Sequence, residues 1–257
     1  MKIDYRIFDP TGNITILVET PVLISEQPRV SQMLCEKEPL AEQVGFIQEG
    51  DFESDIMLRM AGGEFCGNAT MCAAVYFCEK EGISEGEEKV VSVKVSGSPY
   101  PVRVNICKND GIYAGFVSMP RPVKIYMEDL RFEGNLFRLP VVDFGGISHI
   151  IVEESMSVLF AEQVIKKWCS DLRAAGLGLM LLNKEKTELK PLVYIPGADT
   201  LYWESSCASG TTAVGAFLAA RDRKDIHLEL LEPGGVLTID AQKDGYLVLG
   251  GHVIPIS

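Results

Sequence analysis

The sequence predicts an α+β fold in which one domain plan is built twice. Three observations carry this. Strand-like segments alternate with single helices in both halves of the 257-residue chain. Two cysteines, Cys66 and Cys207, sit in echoes of one local sequence. Gly12-Asn13-Ile14-Thr15-Ile16-Leu17-Val18-Glu19 is echoed by Gly146-Ile147-Ser148-His149-Ile150-Ile151-Val152-Glu153. The offsets of the two echoes, 134 residues for the glycines and 141 for the cysteines, are close enough to suggest an internal duplication with small insertions.

In chain order, Ile3, Tyr5 and Ile7 alternate and Ile14 to Val18 runs apolar, which predicts two strands around a turn at Asp9-Pro10-Thr11-Gly12-Asn13. Val30, Met33, Leu34 and Leu40 at helical spacing predict a helix over 29–44. A strand over 52–61 leads into the Cys66 turn and a helix to about Lys80, and strands follow near 89–95, 101–107 and 112–118. In the second half, Val141 to Val152 reads as strand and residues 158–175 as an amphipathic helix. Strands at 178–183, 190–195 and 200–204 precede the Cys207 turn and its helix to about Ala220. The last strands are 227–231, 236–240 and 246–249, with Pro233-Gly234-Gly235 and Gly250-Gly251 as turns. The expected domains are 1–125, carrying Cys66, and 126–257, carrying Cys207, with the C-terminal strands free to cross back.

Composition narrows the function. A net charge of −12 argues against nucleic acid and anionic membrane surfaces as partners, both of which need a basic patch. No apolar run approaches the roughly 20 residues of a membrane span. The start, Met1-Lys2-Ile3-Asp4-Tyr5, lacks a signal peptide's apolar segment, so a cytoplasmic protein is expected. Seven cysteines without a Cys-x2-Cys pair fit neither a disulfide scaffold nor a structural zinc site. Cys35, Cys78, Cys107 and Cys169 read as small buried apolar residues, and Cys72, well inside its helix, reads as buried rather than reactive.

Cys66 and Cys207 differ from the rest. Each follows an acidic residue by two or three positions, and each precedes small residues, a Thr four positions on and an Ala-rich apolar run. That pattern starts a helix at or just after the Cys. A sulfur there meets unpaired N–H groups and the positive end of the helix dipole, which together are expected to lower its pKa. If the halves are related by a pseudo-twofold, two such helix N-termini make a carboxylate site with a thiol on either side of the substrate α-carbon. One thiolate takes the α-proton and the opposite thiol returns one. Amides near Gly67, Asn68, Ala208 and Ser209 hold the developing enediolate, and no cofactor or metal is needed.

Cys66-Gly67-Asn68-Ala69-Thr70-Met71-Cys72 resembles the Cys-Gly-Asn-Gly-x-Arg-Cys signature of diaminopimelate epimerase. Ser206-Cys207-Ala208-Ser209-Gly210-Thr211 resembles its second, Ala-Cys-Gly-Thr-Gly. Gly12-Asn13, the Gly145 to Val152 strand and the Pro-Gly-Gly…Gly-Gly run are similar too, so the resemblance spans nearly the whole chain. It implies two pseudo-symmetric domains, each a curved sheet around a central helix, and a cofactor-independent amino-acid racemase of a small-molecule substrate. It gives Cys66 and Cys207 the acid and base roles and Asn13, Asn68 and the turn amides the substrate contacts. A homodimer is an expectation from the resemblance alone.

The departures bear on substrate. The Glu-Arg pair that helps the epimerase hold its long zwitterionic substrate is replaced by Ile195-Pro196-Gly197-Ala198 after Val193-Tyr194, and the Arg of the first signature is Met71. Losing a planar bidentate donor implies a different, shorter substrate. The segments Thr11 to Val18, Glu42-Gln43-Val44-Gly45-Phe46 and Trp203 to Cys207 look like the histidine racemase branch of the superfamily, which makes D-histidine, in some bacteria as a metallophore precursor. Glu204 or Glu42 is then placed to hold the substrate ammonium or an imidazole N–H. Other readings stay open: Glu204 as an exposed strand-end carboxylate, Glu42 as a solvated helix residue, Asn13 serving only its turn, and His149 as a strand residue rather than a base. Whole-protein alternatives are a diaminopimelate epimerase with a rebuilt distal site, a thiol redox or metal-binding protein, and an isomerase of the phenazine-biosynthesis type.

Overall fold

The computed structural model describes residues 2–153, 155–197 and 199–256. The chain forms β1 (Tyr5–Pro10), β2 (Thr15–Val18), α1 (Gln27–Lys37), β3 (Gln43–Asp51), β4 (Ser54–Met60), α2 (Gly67–Glu81), β5 (Glu88–Val95), β6 (Val102–Asn109) and β7 (Ile112–Ser118). There follow β8 (Lys124–Phe132), β9 (Asn135–Asp143), β10 (Ser148–Val152), α3 (Val158–Leu172), β11 (Leu177–Leu182), β12 (Leu189–Ile195) and β13 (Thr200–Trp203). The last elements are α4 (Ala208–Asp222), β14 (Ile226–Glu232), β15 (Gly235–Ala241) and β16 (Leu247–Pro255). Contacts divide the chain into Met1–Met119 with Leu249–Ser257, and Pro120–Val248. Among the described residues no helix is long and apolar enough to cross a membrane.

In the first unit the strands run β1 to β7 side by side in sequence order, β16 lies beside β7, and β16 pairs back to β1 with Phe8 opposite Pro255. This closes the eight strands β1–β7 and β16 into a ring. Helix α2 is wrapped by these strands and touches β1 through β7. Its residues from Gly67 to Tyr76 are buried all round, as a helix with no polar face must be. Helix α1 packs outside, with Val30 and Leu34 against Ile16, Val18, Val44 and Phe46.

In the second unit a six-stranded sheet runs β13-β12-β11-β10-β9-β8, and the hairpin β14–β15 packs on α4. Both faces of the sheet are covered. Leu177 and Leu179 of β11 face the α3 core, whereas Met180 and Leu182 face the core with α4. Two covered faces explain why β10 and β11 are nearly continuous apolar runs rather than alternating ones. Each unit therefore holds one outer and one central helix, the latter beginning immediately after Cys66 or Cys207.

Several sequence expectations need correction: Gly250 and Gly251 lie within β16 and form no turn, and Cys35 and Cys107, expected buried, are only partly so. The helix expected over 29–44 ends at Lys37, and Leu40 is exposed. Pro39 disfavours helical geometry at the residue before it, and Glu38 takes φ −116°, ψ 78°. Residues 43–51 are instead β3, which sequence reading passed over. The β8–β9 hairpin was likewise unforeseen. Its two-residue turn uses positive φ at both Glu133 (46°) and Gly134 (82°), the geometry that suits the twist of paired strands.

Gly215 marks where α4 lies closest to β15: a Cβ there would meet Ile239 Cγ1 at 2.5 Å. Ala favours helices over Gly by about 1 kcal/mol in exposed positions, yet overpacking costs about 1–3 kcal/mol. Gly215→Ala is therefore expected to lower stability in urea denaturation. The same change made in an Ile239→Ala background should cost less than in the native chain.

Candidate active site

The site residues fall into two groups, one in each unit. In the first, Cys66 is the N-cap of α2, with φ −133° and ψ 115°, and its sulfur accepts the Ala69 N–H at 3.3 Å. Extended geometry at the cap followed by small residues lets the sulfur turn back over the first helical turn. The Thr70 hydroxyl donates to the Cys66 carbonyl at 2.6 Å, which accounts for the Thr four positions after the cysteine. The Cys66 thiol donates to Gln43 Oε1 at 2.6 Å. Gln43 opens β3, and Glu42 beside it accepts from Asn13 Nδ2 at 2.7 Å. Asn13 is fully buried, and its carbonyl accepts the Thr15 hydroxyl. One cluster thus contains Asn13, Glu42, Gln43 and Cys66, with Gly67 and Asn68 buried in the first turn of α2. Glu42 is not a helix residue, as one sequence reading had it; it precedes a strand and its backbone N–H bonds Ile14. Cys72 is fully buried, and burial first, then the charge of a Cys66 thiolate, push its thiol well above the usual range.

In the second group Cys207 caps α4 with nearly the same geometry, φ −126° and ψ 98°, and its sulfur accepts the Gly210 N–H at 3.4 Å. The Thr211 hydroxyl, however, turns to the buried Glu232, whose other oxygen accepts the Cys207 backbone N–H at 2.8 Å. The Pro233-Gly234-Gly235 turn also supports this loop, with the Gly234 N–H donating to the Ser205 carbonyl at 2.7 Å. Glu204 reaches the Cys207 thiol as a hydrogen-bond acceptor. The Ser209 hydroxyl lies 3.7 Å from the Cys207 sulfur and 2.9 Å from His149 Nε2.

Here the sequence expectation of a lowered thiol pKa fails. Burial is the largest influence on Cys207, followed by the charges of Glu204 and Glu232, and together they push the thiol well above its usual value. The Gly210 N–H, in the first turn of α4, acts the other way and is outweighed. Cys207 is thus a protonated thiol at neutral pH. His149 is fully buried, and burial lowers its pKa to about 3, so it is a neutral imidazole. Burial likewise raises Glu232 to about 8, against the donors Thr211 and the Cys207 N–H.

Neither Gln43 nor Glu232 was given a site role in the sequence reading. Glu232 had a faint signal, since it alternates with Leu228 and Leu230 on one face of β14 and so occupies an inward position. Gln43 lay in a segment that carried the family resemblance, but it was read as helix and its side chain was given no part. All seven cysteines are free thiols.

Residues 2–250 match the family model described as the histidine racemase CntK N-terminal domain. A histidine racemase of Fusobacterium nucleatum subsp. nucleatum (strain ATCC 23726) is 32% identical across 96% of this chain and 93% of its own. One from Staphylococcus aureus (strain Mu50) is 28% identical across 94% and 89%. Among solved structures, a predicted epimerase from Pseudomonas aeruginosa superposes with a TM-score of 0.71, covering 100% of this chain and 98% of the other at 12% identity, which shows the shared fold.

Glu232 makes stability depend on pH. Its folded pKa, about 8, lies above the ordinary 4.5, so its contribution is fully present below about pH 4.5 and lost as pH rises through 8. Urea midpoints of the native protein should fall across that window. Glu232→Gln, which keeps one acceptor and cannot ionise, should flatten the fall.

Proposed function

From the premise that this chain belongs to the histidine racemase family, we propose that it interconverts L- and D-histidine by proton transfer at the α-carbon, with Cys66 and Cys207 as the two reacting thiols. The observation that carries the reading is the repeated cap: in each unit one cysteine sulfur sits over the first turn of the central helix, at matching backbone angles. Inversion through a planar intermediate needs a base on one face of the α-carbon and an acid on the other, and each unit supplies one sulfur. The chemistry asked of the protein is proton movement and charge stabilisation, for which thiols and amides suffice.

The steps follow from the two groups. The substrate carboxylate takes the first-turn amides, where an α-helix has no intrahelical acceptors and its dipole favours negative charge. Glu42 and Glu204 take the ammonium or an imidazole N–H. Both thiols meet acceptors, Gln43 Oε1 at Cys66 and the Glu204 carboxylate at Cys207, and acceptors favour the protonated form. A substrate cation drawn to Glu204 offsets that carboxylate's charge and eases ionisation of the thiol. One thiolate then removes the α-proton, the amides hold the enediolate, and the other thiol delivers its proton to the opposite face. The sulfurs have exchanged protonation states, and the return reaction uses them in reverse.

The test is incubation in D2O with L-histidine and no added cofactor. NMR should show loss of the α-proton, and chiral chromatography the D-enantiomer. A positioned acid or base contributes about 10²–10⁴-fold, so Cys66→Ser and Cys207→Ser should each lower kcat by that order. Full activity in both variants overturns the two-thiol mechanism. Exchange of another amino acid with none of histidine keeps the mechanism and replaces the substrate.

A further inference from the structure

The Ser209 hydroxyl stands between Cys207 and a histidine that the reaction does not otherwise use. His149 lies on β10, fully buried beneath the start of α4. Its Nε2 reaches Ser209 Oγ at 2.9 Å, while Nδ1 has no hydrogen-bond partner among the described residues. Nδ1 faces Gly178 of the adjacent strand, where a Cβ would come within 2.2 Å of it, so the glycine makes room for the ring.

This arrangement selects the tautomer. A buried N–H without an acceptor is rarer than an acceptor left without a donor, so the proton belongs on Nε2, where it donates to Ser209 Oγ. That bond occupies an oxygen lone pair and leaves the hydroxyl hydrogen free to point at the Cys207 sulfur. The geometry points to His149 as a positioning residue that, through Ser209, presents a hydrogen-bond donor to the Cys207 thiolate. The hydroxyl of Ser209 then serves the sulfur, leaving its backbone amide for the substrate. The groups facing Cys207 have opposed effects. Glu204 accepts from the thiol and Glu232 sits at its backbone N–H, both favouring S–H, whereas Ser209 and the Gly210 N–H favour S⁻. His149 itself stays neutral throughout, so it orients and polarises without exchanging a proton. The inference rests on Cys207 being one of the reacting thiols.

The experiment reads the sulfur directly. In a Glu204→Gln background, which brings the thiol's ionisation toward an accessible range, the rate of Cys207 alkylation by iodoacetamide is followed against pH by mass spectrometry. Ser209→Ala and His149→Phe should each move the midpoint upward by about one pH unit, because each removes a donor from the charged form. Ser209→Thr and His149→Gln, which keep the donors, should restore most of the shift. His149→Phe combined with Ser209→Ala should do no more than Ser209→Ala alone. Midpoints unmoved by Ser209→Ala overturn the proposal, and that variant alone decides should His149→Phe fail to fold. In the otherwise native enzyme the loss should fall on kcat, about tenfold, with KM within about threefold. A rise in KM at unchanged kcat would assign the hydroxyl to the substrate instead. Alkylation involves no histidine, so its outcome stands whether or not the racemase reading does.

Discussion

A sulfur accepting the backbone N–H three residues ahead of it, at the first turn of a buried helix, is the interaction on which both units depend. Helix caps are usually oxygen acceptors, Ser, Thr, Asp or Asn. A cysteine in that position places a nucleophilic, ionisable atom where the helix offers partial positive charge. The cost is that the helix behind it must be buried on nearly every side to hold the terminus still. That is why residues 67–76 and most of 208–219 carry small and apolar side chains, and why strands enclose them.

The two caps are equal in backbone and unequal in electrostatics. Cys66 has a neutral amide carbonyl as its acceptor, from Gln43. Cys207 has carboxylates at its thiol and at its backbone N–H. A racemase with a near-symmetric product distribution still needs two thiols that start in opposite states. The surroundings of the two sulfurs are unequal in that sense, an amide at one and carboxylates at the other. At Cys207, burial first and the neighbouring carboxylates second keep the thiol protonated, which shows how readily an expectation from helix position alone is overturned by burial.

Much of this was legible in the sequence because it rests on local chemistry. The small residues after each cysteine, the Thr four positions on, and the paired Gly-strand echoes are all short-range features, and they located both caps and both central helices. What was not legible depended on neighbours distant in sequence. Strand β3 hid because Met33, Leu34 and Leu40 continue a helical spacing past the point where Pro39 ends the helix. The β8–β9 hairpin hid because the face it turns to the α3 core, with Tyr126, Leu130, Phe132, Phe137 and Leu139, is mostly only half-buried, and charged residues interrupt β8. Glu232 and Gln43 matter through contacts 25 and 23 residues away, which no local pattern announces. His149 was recognised as a strand residue, but its hydrogen bond to Ser209 spans 60 residues.

The closing strand of the first barrel carries a temporal consequence. Residues 5–118 supply seven of its strands, yet the partner that joins β7 back to β1 is β16, made only after the whole of Pro120–Val248. The intervening unit is continuous in sequence. During synthesis the second unit is therefore free to fold while the first still has two open sheet edges. Unpaired edges are where nascent chains pair with the wrong strand. The protein leaves its earlier-made half unfinished until β16 arrives, and that one strand converts an open sheet into a sealed one.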